Sequence, residues 1–541
     1  MQIKNLTPHG RGVRGLNLPR GSEMFGGAFG RIFRSLLPAD FGANDQESEH
    51  NLKLLAKEMG STEDLPKDGP DPEESGVPAL YTYLGQFVDH DLTFDPSSSL
   101  QQQDDPDGLV DFRTPKFDLD NVYGRGPDDQ PYLYDFSAGS DRAKFVLGKK
   151  LTGGGPLNSQ ARDLARNDAN LPAGQPARAI IGDPRNDENA LVSQLQGLFL
   201  RFHNRLIDEK KLTFVDAQRT LRFHYQWMLI TDFLATLINK DTLHKVFPHL
   251  ADNSSIADNP PEMAFYHPPK NNAYMPLEFS VAAYRFGHSM VRPGYRLNDG
   301  SQVESKDTLL PIFGQKGSPQ RPRSLRGFMA PEDDWALDWA RFIDIEPRPN
   351  GVMLDDNGKT PDGKAPSTRQ LTENRQRLQL AYRIDTSIVF PLGKLPPDVA
   401  DLKIPSLAER NLLRGWRLRL PTGQAVAKAM GEKVLNPISI GKFQDDPEIK
   451  NIEKVSDVFK DNCPLWTYCL AETTNHTVAG QAGVKSKLLG PVGGRIVAET
   501  FAGLIRYDNQ SFLNQEPRWT PTIGDGRNFG LKEFVNFALG R

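Results

Sequence analysis

Cysteine is almost missing: 541 residues hold two, Cys463 and Cys469. That excludes a disulfide framework, a cysteine-built zinc site and the usual iron–sulfur clusters. A single Cys463–Cys469 bridge stays open, with two free thiols the plainer reading. Long apolar runs are missing too, and none approaches the roughly 18–20 residues that span a bilayer. Neither sign of charge dominates. Lys+Arg 65 against Asp+Glu 69 leaves −4, so the chain as a whole has no electrostatic reason to seek nucleic acid or an anionic membrane. The basic opening MQIKNLTPHGRGVRGLNLPRG is followed by no apolar stretch of about 7–15 residues, the core of a secretory signal. The expected location is the cytoplasm, or outside the cell by a non-classical route.

Hydrophobic residues at 38% and aromatics at 9% suit a folded globular chain. At about 150 residues per domain the length allows three to four units, yet no fixed-period repeat divides it. Glycine and proline, 47 and 42 residues, cluster in connections at 60–78, 95–108, 149–178 and 347–368. Between them Leu191, Leu195, Leu198, Phe199, Phe202 and Leu206 recur at three- and four-residue steps, one apolar helical face. Residues 221–238 are apolar nearly all round and read as a buried helix; 407–420 and 495–506 are further helix candidates. Strand-like alternation is scarce. The prediction is a mainly α fold: one large helical domain with long irregular loops and little β. Residues 1–78 form an N-terminal extension packed on a core of 79–541. Loops of that length in a compact domain point to function or a bound cofactor.

Chemistry concentrates in four segments. In 77–94, VPALYTYLGQFVDHDLTF, a helical wheel places Thr82, Gln86, Asp89 and His90 on one arc of about 100°. The plainer reading is a solvated face. Asp91 argues otherwise, because it falls in the middle of the apolar side, where a carboxylate needs a cation or strong donors. Either the helix ends early or Asp91 has a charged partner, such as a metal. The second segment, Thr114 to Asp120, crowds oxygen-bearing residues (TPKFDLD) as hard cations require. It is not an EF-hand, and alone such a string is most often a turn. The third, GDPRNDENALVSQLQGLFLRFHNRL from 182, puts Arg185 and Glu188 where a helix begins behind Pro184. Charges at a helix N-terminus are the plainer reading. The fourth, VAAYRFGHSMVRP from 281, holds His288 in apolar company. A lone histidine there is more often a satisfied core residue than a ligand.

Taken together, the strings GQFVDHDLTF, TPKFDLDNVYG, GDPRNDE with LFLRFHNRL, YRFGH and LAERNLLRG resemble the animal-type haem peroxidases. This is the peroxidase–cyclooxygenase superfamily to which myeloperoxidase and lactoperoxidase belong, and the resemblance spans roughly 80–500. It implies one helical domain around a buried haem b, with His288 as proximal iron ligand. His90 resembles the distal histidine, Arg185 the distal arginine, and Gln86 a residue beside them above the haem. Asn411 would accept a hydrogen bond from the other nitrogen of His288. Arg285, three positions before that ligand, and Arg414, one turn past Asn411, resemble haem partners. Asp89 and Glu188 match the carboxylates that form ester links to haem methyls. Asp91, Thr114, Lys116 through its carbonyl, Asp118 and Asp120 match a Ca²⁺ site. Two departures stand out. Asn189 occupies the place of a methionine that myeloperoxidase bonds to its haem, which rules out a sulfonium link and puts chloride oxidation in doubt. Asp120 replaces a hydroxyl residue, and its charge should tighten cation binding. The compact frame resembles a bacterial member.

The implied function is a haem peroxidase that reduces hydrogen peroxide and, through a ferryl haem, oxidises iodide, bromide, thiocyanate or phenolic donors, as in a response to oxidative stress. Three rivals compete. A fatty-acid dioxygenase or cyclooxygenase-like enzyme would place a tyrosine three residues before the proximal histidine; here that residue is Arg285, and Tyr284 is one step early. A calcium-stabilised interaction protein without enzymatic activity would lack haem. A metal-dependent hydrolase built on Asp89, His90 and Asp91 would need further ligands such as His203 or His224.

Overall fold

The computed structural model describes residues 27–61, 66–94, 110–168, 171–172, 175–300, 308–314, 323–355, 357–395, 404–441, 450–475 and 488–541. The opening segment through 26 and the turn-rich 95–108 lie outside the described residues.

Helices build the core, and strands are two to five residues long, most of them in pairs. The Leu80–Leu92 helix runs through the interior, with every residue but Gly85, Gln86 and Asp89 buried. It packs against the Ala190–Glu209 helix through Phe87 and Phe199, whose rings stack at 4.2 Å. That second helix starts later than the 184–188 charges suggest. Pro184–Asp187 is a separate 3-10 turn, and Asn189 is the N-cap, its Oδ1 accepting from Leu191 N at 3.1 Å and Val192 N at 2.9 Å. Asp187 thus stands outside the helix, and Arg166 holds it with two contacts of 2.8 Å.

The apolar run at 221–238 forms one rod with an interruption: the Phe214–Met228 helix passes through a π turn, Leu229–Phe233, into Leu234–Leu237. The segment before His288 is less regular still. A π turn, Glu278–Ala282, is followed by a 3-10 turn, Ala283–His288. The Leu407–Arg417 and Gly493–Arg506 helices form where periodicity places them.

The N-terminal stretch is fastened to this core. Gly27–Gly30 lies between Val110–Asp111, antiparallel, and Tyr274–Pro276, parallel. Glu278 accepts from Ile32 N at 3.0 Å and Phe33 N at 2.9 Å. Glu74–Pro78 pairs with Leu380–Tyr382, and buried Glu74 bridges Arg292 and Arg377 at 2.6 Å each. Cys463 and Cys469 are free and buried, and burial pushes both thiols up, so they are packing groups.

Candidate active site

One side of the Leu80–Leu92 helix carries Gln86, Asp89 and His90. His90 is 5% exposed, with Nδ1 2.7 Å from Asn186 Oδ1. The Asn186 amide is itself oriented, because its Nδ2 donates to Gln196 Oε1 at 2.9 Å. An acceptor oxygen facing Nδ1 puts the ring proton there and leaves Nε2 the basic nitrogen. Arg185, beside Asn186, donates from Nη2 to His90 O at 3.0 Å and to Asp183 Oδ2 at 2.7 Å. Its Nη1 makes no hydrogen bond among the described residues. Burial alone would raise the Asp183 carboxyl, but the Arg113 and Arg185 guanidiniums hold it well below the usual carboxylate range. Gln86 donates to Glu188 Oε1 at 2.5 Å and accepts from Asn189 Nδ2 at 3.1 Å. Asp89 accepts from Thr93 Oγ1 at 3.1 Å.

Asp91 does not escape burial by an early helix end: it is 0% exposed, and neither carboxylate oxygen has a hydrogen-bond partner. The Tyr225 hydroxyl stands near enough to favour its ionised form but makes no hydrogen bond of ordinary geometry. The Thr114–Asp120 loop comes to meet it. Oxygens of Asp91, Asp118 and Asp120 lie within 4.8 Å of one another, and Thr114 Oγ1 donates to Asp118 Oδ2 at 2.8 Å. Lys116 sends its ammonium toward Asp508, 3.8 Å away, so only its carbonyl is left for the loop. Burial raises all three carboxyls, and neighbouring carboxylates add to it (Asp118 and Asp120 on Asp91, Asp118 on Asp120, Asp508 on Asp118), with Asp120 pushed up to about 7. One buried and two half-buried acids in one place, with orphaned oxygens on Asp91 and Asp120, fit a hard divalent cation.

The Ala283–His288 turn packs against the Leu80–Leu92 helix. His288 is half-buried. Burial, then the charge of Arg285, pushes its pKa down to about 3, so the ring is neutral. Nδ1 lies 2.8 Å from the Asn411 amide nitrogen, while the amide oxygen accepts from Arg285 Nη1 at 3.4 Å. In this orientation the amide donates to Nδ1, the reverse of the expected polarity. A half-turn of the amide exchanges the two atoms, at the loss of a long contact to Arg285. Nε2 makes no hydrogen bond among the described residues. A neutral imidazole with one nitrogen fixed and the other open fits an iron ligand. Arg414, half-buried, stands one turn past Asn411.

His203 and His224 belong to the core. Tyr123 Oη and Ala143 O take the two nitrogens of His203 at 3.0 and 3.2 Å; Thr220 O and Thr522 N take those of His224 at 2.7 and 3.1 Å. Neither is left for the hydrolase arrangement. Sequence reasoning missed Asn186, Gln196, Asp183, Arg113 and Asp111. Asp111 clamps the end of the Leu80–Leu92 helix to the cation loop by accepting from Phe94 N at 2.8 Å and Arg113 N at 3.0 Å. Only Asn186 carried a signal, as the neighbour of Arg185.

Residues 97–321 match the family model described as animal haem peroxidase, a span that holds Arg185, His288 and the cation loop but not Gln86–Asp91. A dual oxidase of Drosophila melanogaster is 30% identical over 135 residues, 24% of this chain and 8% of that relative. Among solved structures, peroxidase A from Dictyostelium discoideum aligns at 15% identity over 91% of this chain and 89% of its own, with a TM-score of 0.53. A fatty acid α-dioxygenase from Arabidopsis thaliana aligns at 14% identity over 99% of this chain and 82% of its own, with a TM-score of 0.52. These structural likenesses speak for the mainly α fold. Among the described residues no helix is long and apolar enough to cross a membrane.

Proposed function

We propose that the chain is a haem- and Ca²⁺-dependent peroxidase that reduces hydrogen peroxide and oxidises iodide, bromide, thiocyanate or phenolic donors. The observation that carries this reading is a pair of imidazoles on neighbouring elements, His90 buried and His288 half-buried, each held through Nδ1 by an asparagine amide. Haem b would be held by His288 Nε2, with Arg285 and Arg414 as cationic partners and Asp89 and Glu188 as candidates for ester links. When bound, it supplies the redox-active iron. His90 takes a proton from peroxide at Nε2 and returns it to the outer oxygen, which leaves as water. Arg185, anchored by Asp183, offers Nη1 to the charge developing on that oxygen. Gln86, tied to Glu188 and Asn189, orients a water or a halide. Asp91, Thr114, the Lys116 carbonyl, Asp118 and Asp120 would hold Ca²⁺, whose charge compensates the buried acids and steadies the helical turn that carries His90.

Local geometry favours peroxidase over fatty-acid oxygenase. On a 3-10 turn residues three apart eclipse, so Arg285 shares the side of His288 and Tyr284 lies about 120° round. The Tyr284 ring is stacked on Phe279 at 4.5 Å. The test is one optical spectrum of purified holoprotein before and after peroxide, followed by turnover with iodide, a phenol and a long-chain fatty acid. Donor oxidation supports the reading. Absence of a Soret band points to the non-enzymatic alternative, and an oxygenated fatty acid as sole product points to the dioxygenase. Haem that resists denaturing extraction after peroxide turnover supports the ester links.

A further inference from the structure

Four charged side chains run in a line from Arg185 to the cation loop. Asp183 Oδ2 accepts from Arg185 Nη2 at 2.7 Å and Nε at 3.1 Å. The same oxygen accepts from Arg113 Nε at 2.9 Å, with Arg113 Nη2 at 2.8 Å. One carboxylate oxygen offers two lone pairs, and four guanidinium nitrogens, two from each arginine, approach it, so the two side chains compete for it. Arg113 reaches the other way as well: its Nη1 is 3.5 Å from Asp120 Oδ1, an oxygen with no hydrogen-bond partner. The strands of chain involved are closely fitted, since a Cβ on Gly182 would come 2.6 Å from Asn121 O.

We propose that Arg113 is a positioning residue that couples occupation of the cation loop to the hold on Arg185, acting through Asp183. The inference rests on the cation-loop reading above and deepens it. A divalent cation on Asp120 takes up that carboxylate's charge and repels the guanidinium beside it. Arg113 then bears wholly on Asp183 Oδ2, and Arg185 keeps a smaller share of that oxygen. It is freer to meet a negative oxygen beside His90. Linkage requires the reverse as well: a change that draws Arg185 off Asp183 draws Arg113 off Asp120 and strengthens cation binding.

The test is calorimetric titration of the full chain with Ca²⁺ in a mutant cycle, a readout that needs no haem. Asp183→Asn releases Arg113 onto Asp120, and Ca²⁺ affinity should fall about fivefold to tenfold. Arg185→Gln leaves Asp183 Oδ2 to Arg113, while Oδ1 keeps the backbone N–H of residue 185, and affinity should rise by a similar factor, although Arg185 touches no loop carboxylate. Both effects should vanish in an Arg113→Gln background, which itself binds Ca²⁺ more tightly than the wild type. Arg113→Lys, with the charge but not the fork, should bind Ca²⁺ no more tightly than the wild type. A purely structural role would instead weaken binding in every variant, and that result overturns the proposal, as does an effect of Arg185→Gln that survives without Arg113. Should Asp183→Asn fail to fold, the sign of the Arg185→Gln and Arg113→Gln effects still decides. A wild-type chain that binds no Ca²⁺ overturns the cation-loop reading itself; binding without coupling overturns only the relay.

Discussion

Asn186→Leu is the sharpest perturbation of the proposed chemistry. Leucine keeps the volume and removes both polar atoms. In the folded chain Asn186 Oδ1 takes His90 Nδ1 at 2.7 Å and Nδ2 serves Gln196 at 2.9 Å. Loss of a buried acceptor leaves a donor unpaired, at about 1–3 kcal/mol. For His90 that penalty falls on the tautomer with its proton on Nδ1, the one whose Nε2 can take a proton from peroxide. The ring is free to adopt the other tautomer and to turn. A loss of about 1.4–2.7 kcal/mol in the proton-transfer step slows it roughly tenfold to a hundredfold. The assay is stopped-flow absorbance at the Soret band on mixing the haem-loaded variant with peroxide, under pseudo-first-order conditions. Haem content should match the wild type, because His288 and Asn411 are untouched. A variant that reacts with peroxide at the wild-type rate would refute the assignment of Asn186 as the residue that sets the His90 tautomer.

Three further outcomes follow from the geometry. His288→Ala should abolish haem retention, read as the loss of Soret absorbance per polypeptide; a variant that keeps the band would exclude His288 as the ligand. Burial and neighbouring carboxylates raise Asp91, Asp118 and Asp120, with Asp120 at about 7. Ca²⁺ needs the ionised forms, so its affinity should climb as pH rises through about 7, with proton release measurable by calorimetry in buffers of different ionisation enthalpy. Affinity independent of pH would contradict that. Burial raises Glu472 to about 8 even though Val492 N and Gly493 N donate to it. Between its unfolded value, about 4.3, and that folded value the native state holds the extra proton, so stability falls as pH rises across the window. Glu472→Gln should flatten that part of the pH–stability curve in urea unfolding; an unchanged slope would remove Glu472 as its source.

Much of the candidate site's local geometry was legible before any fold was known. The 3.6-residue period put Gln86, Asp89 and His90 on one side of a helix, and the same period exposed Asp91 as a carboxylate with nowhere polar to go. Local pattern suffices there because a helix fixes side-chain directions within a few residues. The start of the Ala190–Glu209 helix was misjudged, because the charges at 187 and 188 imitate a first turn while Asn189 caps it.

The irregular turn before His288 was beyond local reading. Its π and 3-10 geometry is set by what packs on it, and it decides that Arg285 rather than Tyr284 shares the side of the histidine. The tautomer of His90 was equally hidden, since it depends on Asn186 lying 96 positions away along the chain. Composition and periodicity determined the helical class, the buried acid and the residue types that could serve a metal or a haem, since each is a property of neighbours in sequence. Which of them meet, which nitrogen carries a proton and which charges compete for one oxygen were decided by tertiary structure alone. Hydrogen bonds and ion pairs act over about 3 Å, and only folding brings distant segments that close.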